Sequence, residues 1–244
     1  MKVFKFGGAS VKDAAGGKNL SSIVHHQHGQ LVVVVSAMGK TTNLLETLCN
    51  AYFHKDPKVA SIMKELKSFH LAIVDSLFPL NDEVYKHLEE LFTNLENILS
   101  SESSLCYDYE YDRIICFGEL ISTTIISDYL KMEGIDNQFI DIRKYLKTDQ
   151  NYRNANIDLE LSGQLCREAF DFNTAPVFVT QGFIAGTRTN QTTTLGREGS
   201  DYTAALLANL LNAEDVTIWK DVPGVMNADP KEYDKAQVIS RMSY

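Results

Sequence analysis

Two short strand-like segments, the second wholly aliphatic, limit the folds open to this chain more than anything else in it. Lys2-Val3-Phe4-Lys5-Phe6 stops at Gly7-Gly8, and Leu31-Val32-Val33-Val34-Val35 stops at Ser36. A run of consecutive β-branched residues has no polar face to offer water, so it reads as a strand of a parallel sheet covered on both sides. Between the two runs a helix is expected, opened by Ser10 with Asp13 three residues later in a capping-box-like start.

The rest of the pattern agrees. Residues from about 43 to 130 read as almost wholly helical, with Val84, Leu88, Leu91, Leu95 and Leu99 forming one apolar stripe at spacings of three and four. A further helix is expected from Asp112 to Tyr129, with Ile114, Phe117, Ile121 and Ile125 along one side. Strands are expected at Gln138 to Ile142 and Pro176 to Thr180, separated by a helix near 158–170. A Gly/Thr-rich loop follows from Gly182 to Gly199. Ser200 then opens a helix to Leu211, and Asp215 to Trp219 is a last strand. Strands alternating with helices predict an α/β fold with a mainly parallel central sheet sandwiched by helices, carrying a helical insertion around 43–130. Ligands in such sheets sit beyond the carboxyl ends of the strands.

Composition narrows the partners. The 244 residues suffice for one large α/β domain or two small ones. A net charge of -9 gives no footprint for nucleic acid. Cys49, Cys106, Cys116 and Cys166 form no CxxC pair, so they read as neutral thiols rather than zinc ligands or a disulfide framework. The N-terminus lacks the apolar run of a signal peptide, and the aliphatic segment at Leu31 is far too short to span a bilayer. A cytoplasmic location is the default expectation. The six histidines, His25-His26-Gln27-His28 among them, have no carboxylate or cysteine at ligand spacing and read as surface residues.

Three strand-end loops carry chemistry. In Lys5-Phe6-Gly7-Gly8-Ala9-Ser10, the glycines allow backbone N–H groups close to an anion, and Lys5 adds a point charge; a plain tight turn is the competing reading. In Ser36-Ala37-Met38-Gly39-Lys40-Thr41-Thr42-Asn43, the Gly39-Lys40-Thr41 triplet is not a P-loop, because the glycine required five residues earlier is Val34. What remains is a hydroxyl cluster suited to a carboxylate, or N-capping by Thr42 or Asn43. In the region from Thr180-Gln181-Gly182-Phe183 through Leu195-Gly196-Arg197-Glu198-Gly199-Ser200-Asp201-Tyr202, Arg197 offers a planar fork for a carboxylate, and Ser200 and Asp201 fall at a helix start where either could cap. Glu119, beside Gly118, reads as a solvated mid-helix residue unless it is buried opposite an ammonium group. Asp221, ahead of Pro223-Gly224, reads equally as a turn residue.

Taken together and in order, these segments resemble the aspartate kinases of the amino-acid kinase superfamily. Phe117-Gly118-Glu119 and Trp219-Lys220-Asp221-Val222-Pro223-Gly224, followed by Asp229-Pro230, join the three loops in carrying the likeness, which runs from Lys2 to the end. The resemblance implies the three-layer fold of that superfamily. About residues 1–180 would form the amino-acid-binding lobe and about 181–244 part of the nucleotide-binding lobe. It implies transfer of the γ-phosphoryl group of ATP to the β-carboxylate of L-aspartate. The product would be 4-phospho-L-aspartate, the first step toward lysine, threonine and methionine. Magnesium would be held through the ATP phosphates, with no direct protein ligands. Lys5 and Asp201 would be catalytic. Ser36, Thr42, Glu119, Arg197 and Ser200 would bind aspartate, with Arg197 on its α-carboxylate and Glu119 on its α-ammonium. Lys5, Gly7, Gly8, Ala9, Lys220, Asp221, Met226 and Lys231 would border the nucleotide. Neither nucleic acid nor membrane is implied, while a homo-oligomer is compatible.

The chain departs from the family pattern in places. Glu198 stands where glycine is usual, Lys220 replaces a threonine, Met226 a tyrosine that can contact adenine, and Lys231 an arginine. Family members also continue past Tyr244, through a segment with a further nucleotide-site lysine and into regulatory domains. A fragment or truncated chain is therefore expected here.

Overall fold

The computed structural model describes residues 1–220, 222, 224–230 and 232–242. Five strands form a parallel central sheet: β1 (Lys2–Phe6), β2 (Leu31–Val35), β3 (Asn137–Ile140), β5 (Val177–Gln181) and β8 (Asp215–Trp219), in the order β3-β5-β2-β1-β8. All four pairings are parallel. Every residue of β2, at the centre, is buried, as an all-aliphatic strand with helices on both faces must be. The register puts Phe6 beside both Val35 and Trp219, and Val35 beside Gln181. Four strands therefore end in one row, and the chain leaves that row at Gly7, Ser36, Gly182 and Lys220.

The helices are α1 (Ala14–His25), α2 (Thr41–Phe53), α3 (Val59–Leu77), α4 (Glu83–Ser100), α5 (Tyr107–Ile115), α6 (Phe117–Met132), α7 (Leu159–Ala169) and α8 (Gly199–Leu210). Helix α6 packs on β2, β3 and β5 and touches α1, whereas α8 packs on β1, β2 and β8 and touches α7. The expected helical insertion is α2 to α6. Of the α4 stripe, Val84, Leu88 and Leu95 are buried together with Phe92, while Leu91 and Leu99 pack at its margin. No helix among the described residues is long and apolar enough to cross a membrane.

Several boundaries differ from the sequence expectation. Asp13, not Ser10, caps α1, its carboxylate accepting from the Gly16 amide at 2.8 Å. Ser10 instead donates its hydroxyl to the Trp219 carbonyl at 3.1 Å, stitching the glycine loop to β8. Helix α2 starts at Thr41 with Lys40 at its cap position, so neither Thr42 nor Asn43 caps it. The single helix expected from Asp112 is two, α5 and α6, meeting at Cys116. The Cys116 backbone stays right-handed helical (φ -56°, ψ -23°), so the apolar spacing runs through the junction without marking it.

The loop expected from Gly182 to Gly199 contains an antiparallel hairpin, β6 (Ile184–Thr187) with β7 (Thr192–Thr194), and β6 also pairs parallel with β4 (Lys147–Thr148). Strands of threonine, glycine and alanine carry too little hydrophobic alternation to announce themselves. The histidine reading also needs correction. His70 is completely buried in α3, and His87 lies 2.7 Å from the Asp128 carboxylate. That partner is 41 residues away, beyond what local spacing reveals.

Candidate active site

The row of strand ends opens into one cleft of about 300 Å³. Lys5, Gly8, Ser36, Thr42, Glu119, Ser200 and Asp201 line it, together with Ala37, Gly39, Phe183, Gly196, Glu198 and Gly199. Residues nearly two hundred positions apart thus share one concavity.

Lys5 is the penultimate residue of β1, and only 7% of it is exposed. Its Nζ lies 2.6 Å from Asp201 Oδ1, and Lys220 Nζ lies 3.2 Å from Asp201 Oδ2. Burial pushes the Asp201 carboxyl up, but bonding to Lys5 and Lys220 and their charges outweigh it, and the net shift is downward. Asp201 is thus an ionised carboxylate between two ammonium groups, in the first turn of α8 where the helix dipole also favours a negative charge.

Above Lys5 the chain folds back tightly. Ser10 N–H donates to the Gly7 carbonyl, and Gly39 N–H donates to the Gly8 carbonyl at 3.0 Å, joining the first two loops. A Cβ on Gly8 would lie 2.7 Å from the Ala37 carbonyl oxygen, closer than any side chain tolerates, so glycine is required by this approach. Gly8 lines the cleft, while Ala9 is exposed.

Glu119 is neither mid-helix nor solvated. It sits in the first turn of α6 and is 3% exposed. Its Oε1 accepts from the Ala37 amide at 3.2 Å, and its buried Oε2 has no hydrogen-bond partner among the described residues. Burial pushes the carboxyl up to about 8, against smaller lowering effects from backbone amides and from the charge of Lys5. A buried carboxyl oxygen without a partner, facing a cleft, is a polar group waiting for a ligand, and it becomes an acceptor once the carboxyl ionises. The support behind it is rigid: Thr123 Oγ1 donates to the Glu119 carbonyl at 2.7 Å and accepts from Gln181 Nε2 at 2.8 Å.

The opposite wall is the loop from Leu195 into α8. Glu198, in the left-handed region (φ 58°), occupies the cap position of α8 without a side-chain cap bond, so neither Ser200 nor Asp201 is the cap residue. Gly196 (φ 75°), Gly199 and Ser200 line the cleft, but Arg197 points away from it. The Arg197 side chain is 94% exposed, with Nε 4.0 Å from Glu198 Oε1.

Among the other expected residues, Lys220 reaches the site through Asp201, as described. Met226 lies further along the chain in an isolated antiparallel bridge with Val238 and does not line the cleft. Asp221 and Lys231 lie outside the described residues. Phe183, which the sequence places in the third loaded region without a role, lines the cleft just past the end of β5. No group of three or more His, Cys, Asp or Glu side chains among the described residues could hold a metal unaided.

The sequence profile described as "Amino acid kinase family" matches residues 1–244. Lysine-sensitive aspartokinase 3 of Escherichia coli is 31% identical over 244 residues, covering 99% of this chain and 54% of that protein. The crystal structure of E. coli aspartokinase III in complex with aspartate and ADP superimposes with a TM-score of 0.89 at 31% identity, covering 98% of this chain and 53% of that one. The structure of Clostridium acetobutylicum aspartate kinase gives a TM-score of 0.77 at 26% identity, covering 98% of this chain and 51% of that one. The chain therefore spans about half the length of these relatives.

Proposed function

The chain belongs to the amino acid kinase family, and on that premise we propose that its cleft transfers the γ-phosphoryl group of ATP to the β-carboxylate of L-aspartate. The observation that carries this reading is the pairing, within one cleft, of a buried Lys5 held by the half-buried Asp201 with a buried Glu119 carboxyl whose Oε2 lacks a partner among the described residues.

The reaction joins two anions. An oxygen of the ionised β-carboxylate attacks the γ-phosphorus, and the bond from that phosphorus to the β,γ-bridging oxygen breaks. ADP leaves, and an acyl phosphate remains. The nucleophile is already deprotonated, so the protein supplies placement and positive charge rather than a base. Lys5 neutralises charge on the transferring group, and the Gly7-Gly8 turn brings backbone N–H groups to the phosphates. Asp201 holds Lys5 and Lys220 in place. Ser36, Thr42 and Ser200 offer hydroxyls to the substrate carboxylates.

Glu119 meets the α-ammonium, and Arg197 turns inward to grip the α-carboxylate. Both charges suit a free amino acid. N-acetylglutamate, whose amine is acylated, has no ammonium for Glu119. On this reading the amino-acid side is built mainly by residues before about 180, with Arg197 and Ser200 reaching across from the nucleotide side. Asp221, Met226 and Lys231 belong to the nucleotide border.

Magnesium fits as an ion carried by the nucleotide. Asp201 brings one carboxylate to the cleft, and the described residues hold no three-ligand cluster to bind a metal independently. When bound, magnesium offsets phosphate charge.

The test is ADP release with Mg-ATP and a panel of acceptors. Aspartate should support turnover, and N-acetylglutamate should not. Release that ignores aspartate, or that N-acetylglutamate supports equally, contradicts the assignment.

A further inference from the structure

Asp112 lies outside the cleft, yet both walls of the cleft are tied to it. It belongs to α5 and is completely buried. Its Oδ1 accepts from Thr194 Oγ1 at 2.7 Å, and its Oδ2 accepts from the amides of Thr194 and Arg153, both at 2.9 Å. Thr194 ends β7, and its carbonyl accepts from the Ala155 amide at 3.0 Å. The strap from Arg153 to Ala155 is fastened to α5 a second time, because the Arg153 guanidinium lies 4.4 Å above the Tyr111 ring and 3.1 Å from Asp108 Oδ1.

This strap shapes the loop that enters the cleft. A Cβ on Gly196 would lie 2.6 Å from Asn154 Oδ1 and 3.3 Å from the Arg153 carbonyl oxygen. The path of Gly196, and so of Arg197 to Ser200 behind it, follows the strap. On the other side, α5 continues through Cys116 into α6, and Glu119 stands seven residues after Asp112. One carboxylate thus connects the wall with the buried acceptor to the wall with the arginine.

We propose that Asp112 is a positioning residue, which sets the spacing between Glu119 and the Gly196–Ser200 loop by holding Thr194 and Arg153 against α5. The inference rests on the aspartate reading above. Packing alone gives no reason for a carboxylate here, since burying one without compensation is costly. Two separated backbone segments and a hydroxyl, all donors, do give a reason. Burial pushes the Asp112 carboxyl up to about 6, restrained by those bonds and by the Arg153 charge, so it is ionised at neutral pH.

The experiment compares Asp112→Ala, Asp112→Asn and Thr194→Val in steady-state kinetics and in amide exchange. Asp112→Ala should raise the aspartate KM by about tenfold or more while moving the ATP KM by no more than about twofold, since a shift of the loop of about an ångström misplaces one substrate and spares the other. Asp112→Asn keeps an acceptor for the two amides and should recover most of the loss. Thr194→Val removes one hydroxyl and carries the test if Asp112→Ala does not fold; its aspartate KM should rise severalfold. Its amides from Leu195 to Ser200 should exchange faster, with Gly7 to Ser10 unchanged.

Both KM values rising together, or exchange at 195–200 matching wild type, would overturn the positioning role. A wild-type protein that turns over no aspartate would instead strike the functional reading, and the exchange comparison would still decide the role of Asp112.

Discussion

The two walls of the cleft are built on opposite principles. On the wall made by β1 and α6, Lys5 and Glu119 are almost wholly buried and held by neighbours: Asp201 on one, and the Ala37 amide and the Thr123–Gln181 chain behind the other. On the wall made by the loop into α8, Arg197 stands in solvent, and the residue after it is a glutamate in a left-handed conformation. The Lys5 charge, already fixed in a dry site, costs no reorganisation when substrate arrives, and it is correspondingly strong. A charge on an exposed three-methylene arm must lose side-chain entropy each time it binds. On the proposed function, Lys5 of the buried wall serves transfer, Glu119 beside it holds the substrate in place, and Arg197 of the exposed wall serves capture and release.

If that contrast is right, the variants fall in a definite order. Lys5→Ala should be the most damaging, lowering kcat by roughly a hundred- to a thousandfold while calorimetry still detects aspartate, because removing one preorganised charge has that scale of effect. Lost aspartate affinity would mean that Lys5 serves binding rather than transfer.

Glu119→Gln should weaken aspartate binding by about a hundredfold, the scale of a hydrogen bond to a charged group. The same change should stabilise the free protein. The Glu119 carboxyl has an ordinary value of 4.5 and sits at about 8 when folded, so between these pH values the folded state holds the extra proton. Its contribution to stability is present below about pH 4.5 and is lost as pH rises through about 8. Glutamine does not titrate, so the Tm gain of Glu119→Gln should be largest above pH 8. A Tm below wild type there would show that Glu119 has a buried partner already.

Arg197→Ala should raise the aspartate KM by about tenfold, less than the buried substitution, with the ATP KM nearly unmoved. An equal or larger loss than Glu119→Gln would erase the distinction between the walls. The smallest effect is that of pH on the wild type. Glu119 must be ionised to meet an ammonium, so the aspartate KM should fall severalfold between about pH 6.5 and 8.5, and this dependence should vanish in Glu119→Gln. A flat profile in the wild type would locate the ammonium elsewhere.

How much of this was legible in the sequence differs along the same line. The parallel sheet was, because Leu31 to Val35 has no polar face, and both it and Lys2 to Phe6 stop at serine or glycine. Lys5, Ser36, Thr42 and Ser200 were, because each follows or ends a strand or opens a helix at the sheet's carboxyl edge. The burial of Glu119 was not. Its spacing places it only on a helix, and the atoms around it, from Ala37 in the loop after β2 and from Lys5 in β1, lie more than eighty residues away in sequence. The β6–β7 hairpin was hidden for another reason, since its threonines and glycine carry no alternation. Asp112 was invisible as a functional residue, because its partners Arg153 and Thr194 meet it only in the folded chain.

The most direct test is a crystal structure of the protein with aspartate and ADP. The aspartate ammonium nitrogen should lie about 3 Å from Glu119 Oε2, with Arg197 turned in on the α-carboxylate and the nucleotide phosphates over Gly7-Gly8. Aspartate bound with Glu119 Oε2 still unpartnered, or either ligand seated outside the cleft between Lys5 and Ser200, would contradict the account.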